Sequence, residues 1–249
     1  MGFKDHFSGH AGAYAAFRPT YPEALFDWLA ARAPGRELAW DAATGNGQAA
    51  GALARRFARV TATDASAPQI AQARPLERVE FRVAPSEDSG LPAGSADLVT
   101  VAQALHWFDL PRFWPEVRRV ARPGGLLAVW TYNLLESGLP AVDAALLHLY
   151  SEVVGPYWPP DRKLVEEGYR NLEVPFTETQ VPPFSMREEW TLDQLCGYVG
   201  TWSAVAAYRR ALQQDPVAPV REELLGGWGG PEAKRVLSWP LSVRVFEVG

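Results

Sequence analysis

The sequence predicts an α/β fold: a doubly wound, mostly parallel sheet of seven strands, with a helical cap inserted after strand five. Three observations carry that prediction. The stretch Glu37-Leu38-Ala39-Trp40-Asp41 is a short apolar run closing on an acid, and the turn Gly45-Asn46-Gly47 then leads into a helix-forming segment through Phe57. Roughly twenty residues after that turn, Arg59-Val60-Thr61-Ala62-Thr63-Asp64 is β-branched and again ends in an acid. Further apolar runs alternate with helical patterns as far as Thr131, the rhythm of parallel strands joined by right-handed crossovers.

In chain order, residues 3–22 read as a loop and a short helix ended by Pro19 and Pro22, with Tyr14 and Arg18 four residues apart on one helical face. Pro22 suits the first turn of a helix over 23–32, whose Leu25, Trp28 and Leu29 form an apolar stripe, and Pro34-Gly35 ends it. Strands are predicted over 37–41, 59–64, 79–84, 97–101 and 126–131. The intervening helices are 48–57, 66–74 with Ser66 as its cap, and 111–121, and the chain turns at 122–125. Beyond Asn133 the rhythm breaks. A helix over 141–153 leads into proline-rich 155–160, and 176–190 reads as a strand interrupted by Pro182-Pro183. Helices near 192–199, 202–213 and 217–225 precede a last strand or hairpin over 235–248. The expected division is therefore an N-terminal segment and ligand-binding core over 1–132, a helical cap with a late strand over 133–214, and a final helix and strand over 215–249 that complete the sheet.

With 249 residues, 47% hydrophobic and 21% charged, the chain has room for one large domain or a domain carrying a subdomain, and little for disorder. Its net charge of −5 and scattered arginines argue against a nucleic-acid partner. Cys196 is the only cysteine, so no intrachain disulfide forms and a reducing compartment fits. The first residues have no apolar core like that of a signal peptide, and the longest apolar run, near residues 126–130, is too short for a bilayer. The expectation is a cytoplasmic protein without a membrane partner; its oligomeric state is left open. The ten tryptophans, Trp107, Trp158, Trp202 and Trp239 among them, are either core packing or the wall of a water-excluding pocket.

The glycine turn points to a ligand. Free backbone N–H groups with no side chain over them favour an anion or a dense acceptor. Asp64 stands where a doubly wound sheet places a carboxylate to accept both hydroxyls of a ribose, so an adenosine ligand is expected. Gly45-Asn46-Gly47-Gln48-Ala49-Ala50 fits the dinucleotide pattern equally well. A nicotinamide oxidoreductase and a non-catalytic adenosine-binding protein therefore both stay open. Against the first, no tyrosine is followed four residues later by lysine. His6 and His10 are a possible metal pair, but no third ligand accompanies them and no metal is expected.

Four stretches resemble the class I S-adenosylmethionine-dependent methyltransferases. Residues Asp41 to Gly47 are similar to that family's acid-plus-glycine loop, and Asp64-Ala65-Ser66 to its ribose-binding strand end. Ser86-Glu87-Asp88 with Leu91-Pro92 resembles its adenine-side loop, and residues 97–125 its fourth strand with the turn before the fifth. Tyr14, Arg18-Pro19 and Tyr21-Pro22 resemble the amino-terminal segment of a small-molecule branch similar to trans-aconitate methyltransferase. The likeness covers residues 7–132, and Thr201-Trp202-Ser203 more faintly. It implies a Rossmann-like fold, S-adenosylmethionine as cofactor, and cofactor contacts at Tyr14, Arg18, Asp41, Gly45, Gly47, Asp64, Ala65, Ser86, Glu87 and Gln103. Ala43 departs from the family, standing where its first glycine is usual. Pro85 replaces an acid that contacts adenine, a task that falls to Glu87 or the backbone N–H of Ser86.

Methyl transfer needs the acceptor brought to the methyl carbon and water excluded. A carboxylate acceptor needs cations to hold it and no base, whereas a hydroxyl or amine needs its proton removed. His106, just past strand four, is the candidate base, with a packing or positioning role as the alternative. The insert after Asn133 and the amino-terminal segment should roof the carboxyl edge of the sheet, with Tyr14, Trp107, Trp158 and Trp202 lining a pocket for a small molecule, possible acids included.

Overall fold

The computed structural model describes residues 18–249, so Tyr14, His6 and His10 lie outside the described residues. Helix α1 (Glu23–Arg32) follows Pro22 and buries Leu25, Phe26, Leu29 and Ala30. Strand β1 (Leu38–Ala42) is buried along its whole length, as a central parallel strand must be. Next come α2 (Gln48–Ala54), β2 (Arg59–Asp64), α3 (Ala67–Gln72) capped by the Ser66 hydroxyl, and β3 (Val79–Val83). β4 (Ala96–Ala102), a 3-10 turn (Leu105–Trp107) and α4 (Leu110–Val120) lead to β5 (Ala121–Tyr132). The four residues 122–125, expected as a turn, continue β5. Ala121 pairs with Ala96, and a register shift between Ala96 and Leu98 takes up the bend.

Strands β3, β2, β1, β4 and β5 lie side by side in that order, all parallel, so Ala42, Asp64, Ala102 and Tyr132 end at one edge. The order reverses between β1 and β4. That is where doubly wound sheets open a crevice, because the two chains leave toward opposite faces.

The second half builds the cap. α5 (Pro140–His148) continues into a π turn (Leu149–Val153), and α6 (Arg162–Glu166) follows the proline-rich stretch. β6 (Thr177–Thr179), β7 (Phe184–Trp190), α7 (Leu192–Gly200), α8 (Ser203–Leu212), α9 (Val217–Trp228) and β8 (Arg235–Val248) complete the chain. The sheet therefore has eight strands rather than seven. Pro182-Pro183 breaks 176–190 in two because proline gives no ladder donor. Both pieces pair antiparallel with β8, β6 on Val245–Glu247 and β7 on Arg235–Leu241, while β8 itself pairs with β5.

Hydrophobic clusters cover the two faces of the sheet, one around Trp40, Phe113 and Val129, the other around Phe26, Leu53 and Trp130. A third lies under the cap and joins Leu146, Leu149, Tyr198, Leu224, Trp228 and Trp239. α9 belongs to this third core and lies close on α5. A Cβ at Gly227 would sit 3.0 Å from that of Ala141. No helix among the described residues is long and apolar enough to cross a membrane.

At the opposite edge from the crevice, the buried Asp97 carboxylate ties β4 to the start of β1. It accepts from the backbone N–H groups of Glu37 and Leu38, at 2.8 and 3.1 Å, and from Arg122 at 2.6 Å. Removing it leaves three donors without their acceptor. We expect Asp97→Ala to cost about 3–5 kcal/mol, the range for breaking a buried pair, and Arg122→Ala clearly less, because the two backbone donors remain. Urea unfolding of both variants checks the ranking.

Candidate active site

The crevice is built from the turn after β1. Ala43 takes a left-handed φ of 54°, and Thr44 N–H donates to the Thr63 carbonyl at 2.9 Å, which keeps the turn against β2. Gly47 has φ 89°, and a Cβ there would meet the Phe81 ring at 2.7 Å, so both conformation and space require glycine. At Gly45, φ 58°, an added Cβ meets nothing within 4 Å. Open space over a bare backbone is what a closely approaching ligand needs.

Two carboxylates frame this turn. Asp41 is buried and accepts from the hydroxyls of Thr44 at 2.6 Å and Thr100 at 2.7 Å. Burial pushes its pKa up to about 6, against the opposing pull of those two hydroxyls. Asp64 accepts from the Gly45 N–H at 2.9 Å with one oxygen and from the Ser66 N–H at 2.8 Å with the other. It thereby fixes both turns that border the crevice, with Ala65 exposed between them.

The remaining expected residues arrive from other elements. Ser86 is buried after β3, and Glu87 accepts from the Asp109 N–H at 3.2 Å, which joins its loop to the start of α4. Arg18 donates to the Tyr132 hydroxyl at 2.5 Å, and Gln48 donates to the Pro19 carbonyl at 2.8 Å, so the amino-terminal segment crosses the crevice between β5 and the glycine turn. Gln103, at φ 56°, has its side chain engaged by β5. It donates to the Tyr132 carbonyl at 3.0 Å and accepts from the Tyr132 N–H and the Thr131 hydroxyl. His106 is half-buried with Nδ1 2.8 Å from the Tyr169 hydroxyl. Burial, and then the positive charge of Arg162, push its pKa down to about 3.

Sequence reasoning missed Tyr169, Asn133, Tyr150 and Arg162. All four come from the insert, and they meet the sheet edge only once the cap is folded. The Arg162 side chain donates to Asn133, the first residue beyond β5, at 2.7 Å, and Tyr169 reaches His106 beyond β4. The insert is thus hydrogen-bonded to the core at His106, and Arg162 ties it to its own first residue at the end of β5. The one local signal for Arg162 is its place just after Trp158-Pro159-Pro160, an aromatic and rigid setting for a cation.

Comparison with known proteins agrees with this geometry. A methyltransferase-domain family model matches residues 40–129. A Dictyostelium discoideum protein assigned as a methyltransferase is 36% identical over 227 residues, covering 90% of this chain and 86% of the relative. An uncharacterized methyltransferase of Mycobacterium tuberculosis is 34% identical over 186 residues, 74% of this chain and 70% of its own. A solved structure from Anaeromyxobacter dehalogenans, assigned as a type II methyltransferase, superposes with a TM-score of 0.89 at 48% identity, over 93% of this chain and 98% of that one. The chain belongs to the class I S-adenosylmethionine-dependent methyltransferases. That membership decides against the nicotinamide oxidoreductase and the non-catalytic adenosine-binding protein. The crevice suits the cofactor: Gly45 leaves space for it, and Asp64 brings a carboxylate to the end of β2, where a ribose can be held.

Two outcomes follow from the strain and the burial. Ala43→Gly should stabilise the fold by about 0.5–1 kcal/mol, because the left-handed cost of alanine exceeds the extra chain entropy of glycine; thermal melting measures it. Asp41, raised from 3.8 to about 6, binds its proton more tightly folded than unfolded. Its contribution therefore falls as pH rises from about 4 to about 6, by roughly 3 kcal/mol at about 1.4 per pKa unit. Denaturant unfolding from pH 4 to 7 should show this decline in the parent and a flatter profile in Asp41→Asn.

Proposed function

We propose that the enzyme methylates a small carboxylic acid, as the trans-aconitate-like branch implies, and that it works in the cytoplasm without a nucleic-acid partner. On this reading, residues 1–132 hold the cofactor, 133–214 cap the acceptor and 215–249 close the sheet. Asp64 and the backbone around Gly45 hold the ribose side, Ser86 and Glu87 the adenine side, and Arg18 with Tyr14 the cofactor's carboxylate. Ala65 and the main chain of Gln103 complete the wall. When bound, S-adenosylmethionine supplies a methyl group on a positively charged sulfur.

The observation that carries the acid reading is the state of His106. With its pKa down at about 3 and Nδ1 engaged by Tyr169, the imidazole is neutral at physiological pH and a poor base for a hydroxyl or an ammonium group. A carboxylic acid arrives already ionised and asks for no proton transfer. The role left to His106 is to pack against Trp107, 4.5 Å between ring centroids, and to anchor Tyr169 of the cap.

Incubation with S-adenosylmethionine and a panel of small acids, phenols and amines tests the reading. The expected product is a methyl ester, recognised by the methanol it releases in alkali. His106→Ala should keep turnover within about tenfold. A loss on the order of 10²–10⁴ would mark His106 as a base and the acceptor as a hydroxyl or amine.

A further inference from the structure

The guanidinium of Arg162 is positioned from several sides, and among the described residues no carboxylate touches it directly; Glu166 reaches it only through the Tyr150 hydroxyl. Nε donates to the Tyr150 hydroxyl at 2.9 Å and Nη2 to Asn133 Oδ1 at 2.7 Å. The group lies 4.6 Å from the ring centroid of Trp158 and 5.5 Å from that of Tyr150. Tyr150 gives its own proton to Glu166 at 2.6 Å, which turns the phenol oxygen's lone pairs toward Arg162. Yet among the described residues no carboxylate comes within 4.0 Å of Arg162, whereas Arg56, Arg119, Arg122, Arg209, Arg221 and Arg244 each meet one at 2.6–2.8 Å.

A half-buried cation without a counter-ion is costly to keep, more so against aromatic rings that exclude water. Among the described residues only two of its five N–H donors are spent, so a planar fork remains for a carboxylate. Its place matches that use. Asn133 is the first residue past β5, and a cavity of about 370 Å³ opens beside Arg162, Tyr150, Trp158 and Pro159, with Lys163 and Glu166 also in its lining; the Glu166 carboxylate there is engaged by the Tyr150 hydroxyl. The neighbouring Lys163 points its charge to solvent and pairs with Glu167 at 3.8 Å.

We propose that Arg162, laid on Trp158 and Tyr150 and oriented by Asn133, is the anion anchor that selects a carboxylate-bearing acceptor, with flat acids favoured by the aromatic shelf. The proposal rests on the acid reading above for placing the acceptor at this edge, and it adds the residue that enforces the choice.

Calorimetric titration of benzoate, trans-cinnamate and their neutral amides into the enzyme saturated with S-adenosylhomocysteine tests it. The parent should bind each acid about 10–100-fold more tightly than its amide, the range for hydrogen bonds to a charged group. Arg162→Gln should erase that preference. Arg162→Lys, which keeps the charge but not the fork, should recover part of it, and S-adenosylhomocysteine affinity should hold in all three proteins. Acids and amides bound alike by the parent, no binding of any acid, or an acid affinity untouched by Arg162→Gln would each overturn the assignment. If Arg162→Gln does not fold, the parent's preference and the Arg162→Lys value decide. The two readings fail separately. An acid that depends on Arg162 but is methylated on another atom removes the ester and leaves the anchor. Ester formation indifferent to Arg162→Gln removes the anchor and leaves the ester.

Discussion

The side chain of Gln103 holds the end of β4 to the end of β5, and the elements that roof the sheet edge depart from that join. β4 stops at Ala102, where the backbone swings to a left-handed φ of 56°, and the Gln103 N–H still donates to the Trp130 carbonyl at 2.8 Å. The carboxamide then continues the ladder in place of a strand, giving to the Tyr132 carbonyl and taking from the Tyr132 N–H. Buried backbone groups at a strand end must find partners, and one amide supplies an acceptor and a donor together. Without that grip the last residues of β5, with Asn133 behind them, would be held from one side alone, by β8 at Ser242 and Leu241.

Ala43 after β1 and Gln103 after β4 form a pair. β1 and β4 are neighbours, they mark the place where the strand order reverses, and each is followed by a non-glycine residue with positive φ. A third such residue, Tyr169 at φ 59°, carries the hydroxyl that meets His106. Each conformation costs on the order of 1–2 kcal/mol and persists because hydrogen bonds around it over-determine the turn. Two further positive-φ residues, Arg78 before β3 and Gln213 after α8, lie away from the crevice, so the feature particular to this edge is the pairing of Ala43 with Gln103 at the ends of neighbouring strands.

What could be read in the sequence was local. The acid at the end of β1, the glycine turn and the acid at the end of β2 lie within one strand–turn–helix–strand unit, and their geometry follows from short-range rules. The helices of the cap were legible from periodicity and their placement over the carboxyl edge was expected, but the residues that join them to it were not. Gln103 was expected at the cofactor from the family resemblance; its partner, Tyr132, is 29 residues away, and no pattern in the sequence links them. Arg162 reaches Asn133 over the same distance in sequence, so its role appears only after the cap has docked. The interruption expected at Pro182-Pro183 separates β6 from β7, and what the sequence did not indicate is that both pair with the same 14-residue strand β8.

The charges at the edge are segregated, and the fold explains how. Asp41 and Asp64 come from β1 and β2, neighbouring strands of the parallel core, and converge on the glycine turn. Arg162 comes from the cap and docks on the far side, beyond β5, with two strand positions between it and β1. His106 lies after β4, between the two groups in strand order, and burial together with Arg162 keeps it uncharged. A protonated imidazole there would add a positive charge beside the arginine. By staying neutral, His106 adds no charge between the two acids of β1 and β2 and the two arginines, Arg18 and Arg162, that reach the end of β5. Low-dielectric surroundings of the kind that suppress its protonation would also strengthen the pull of Arg162 on the carboxylate proposed for it.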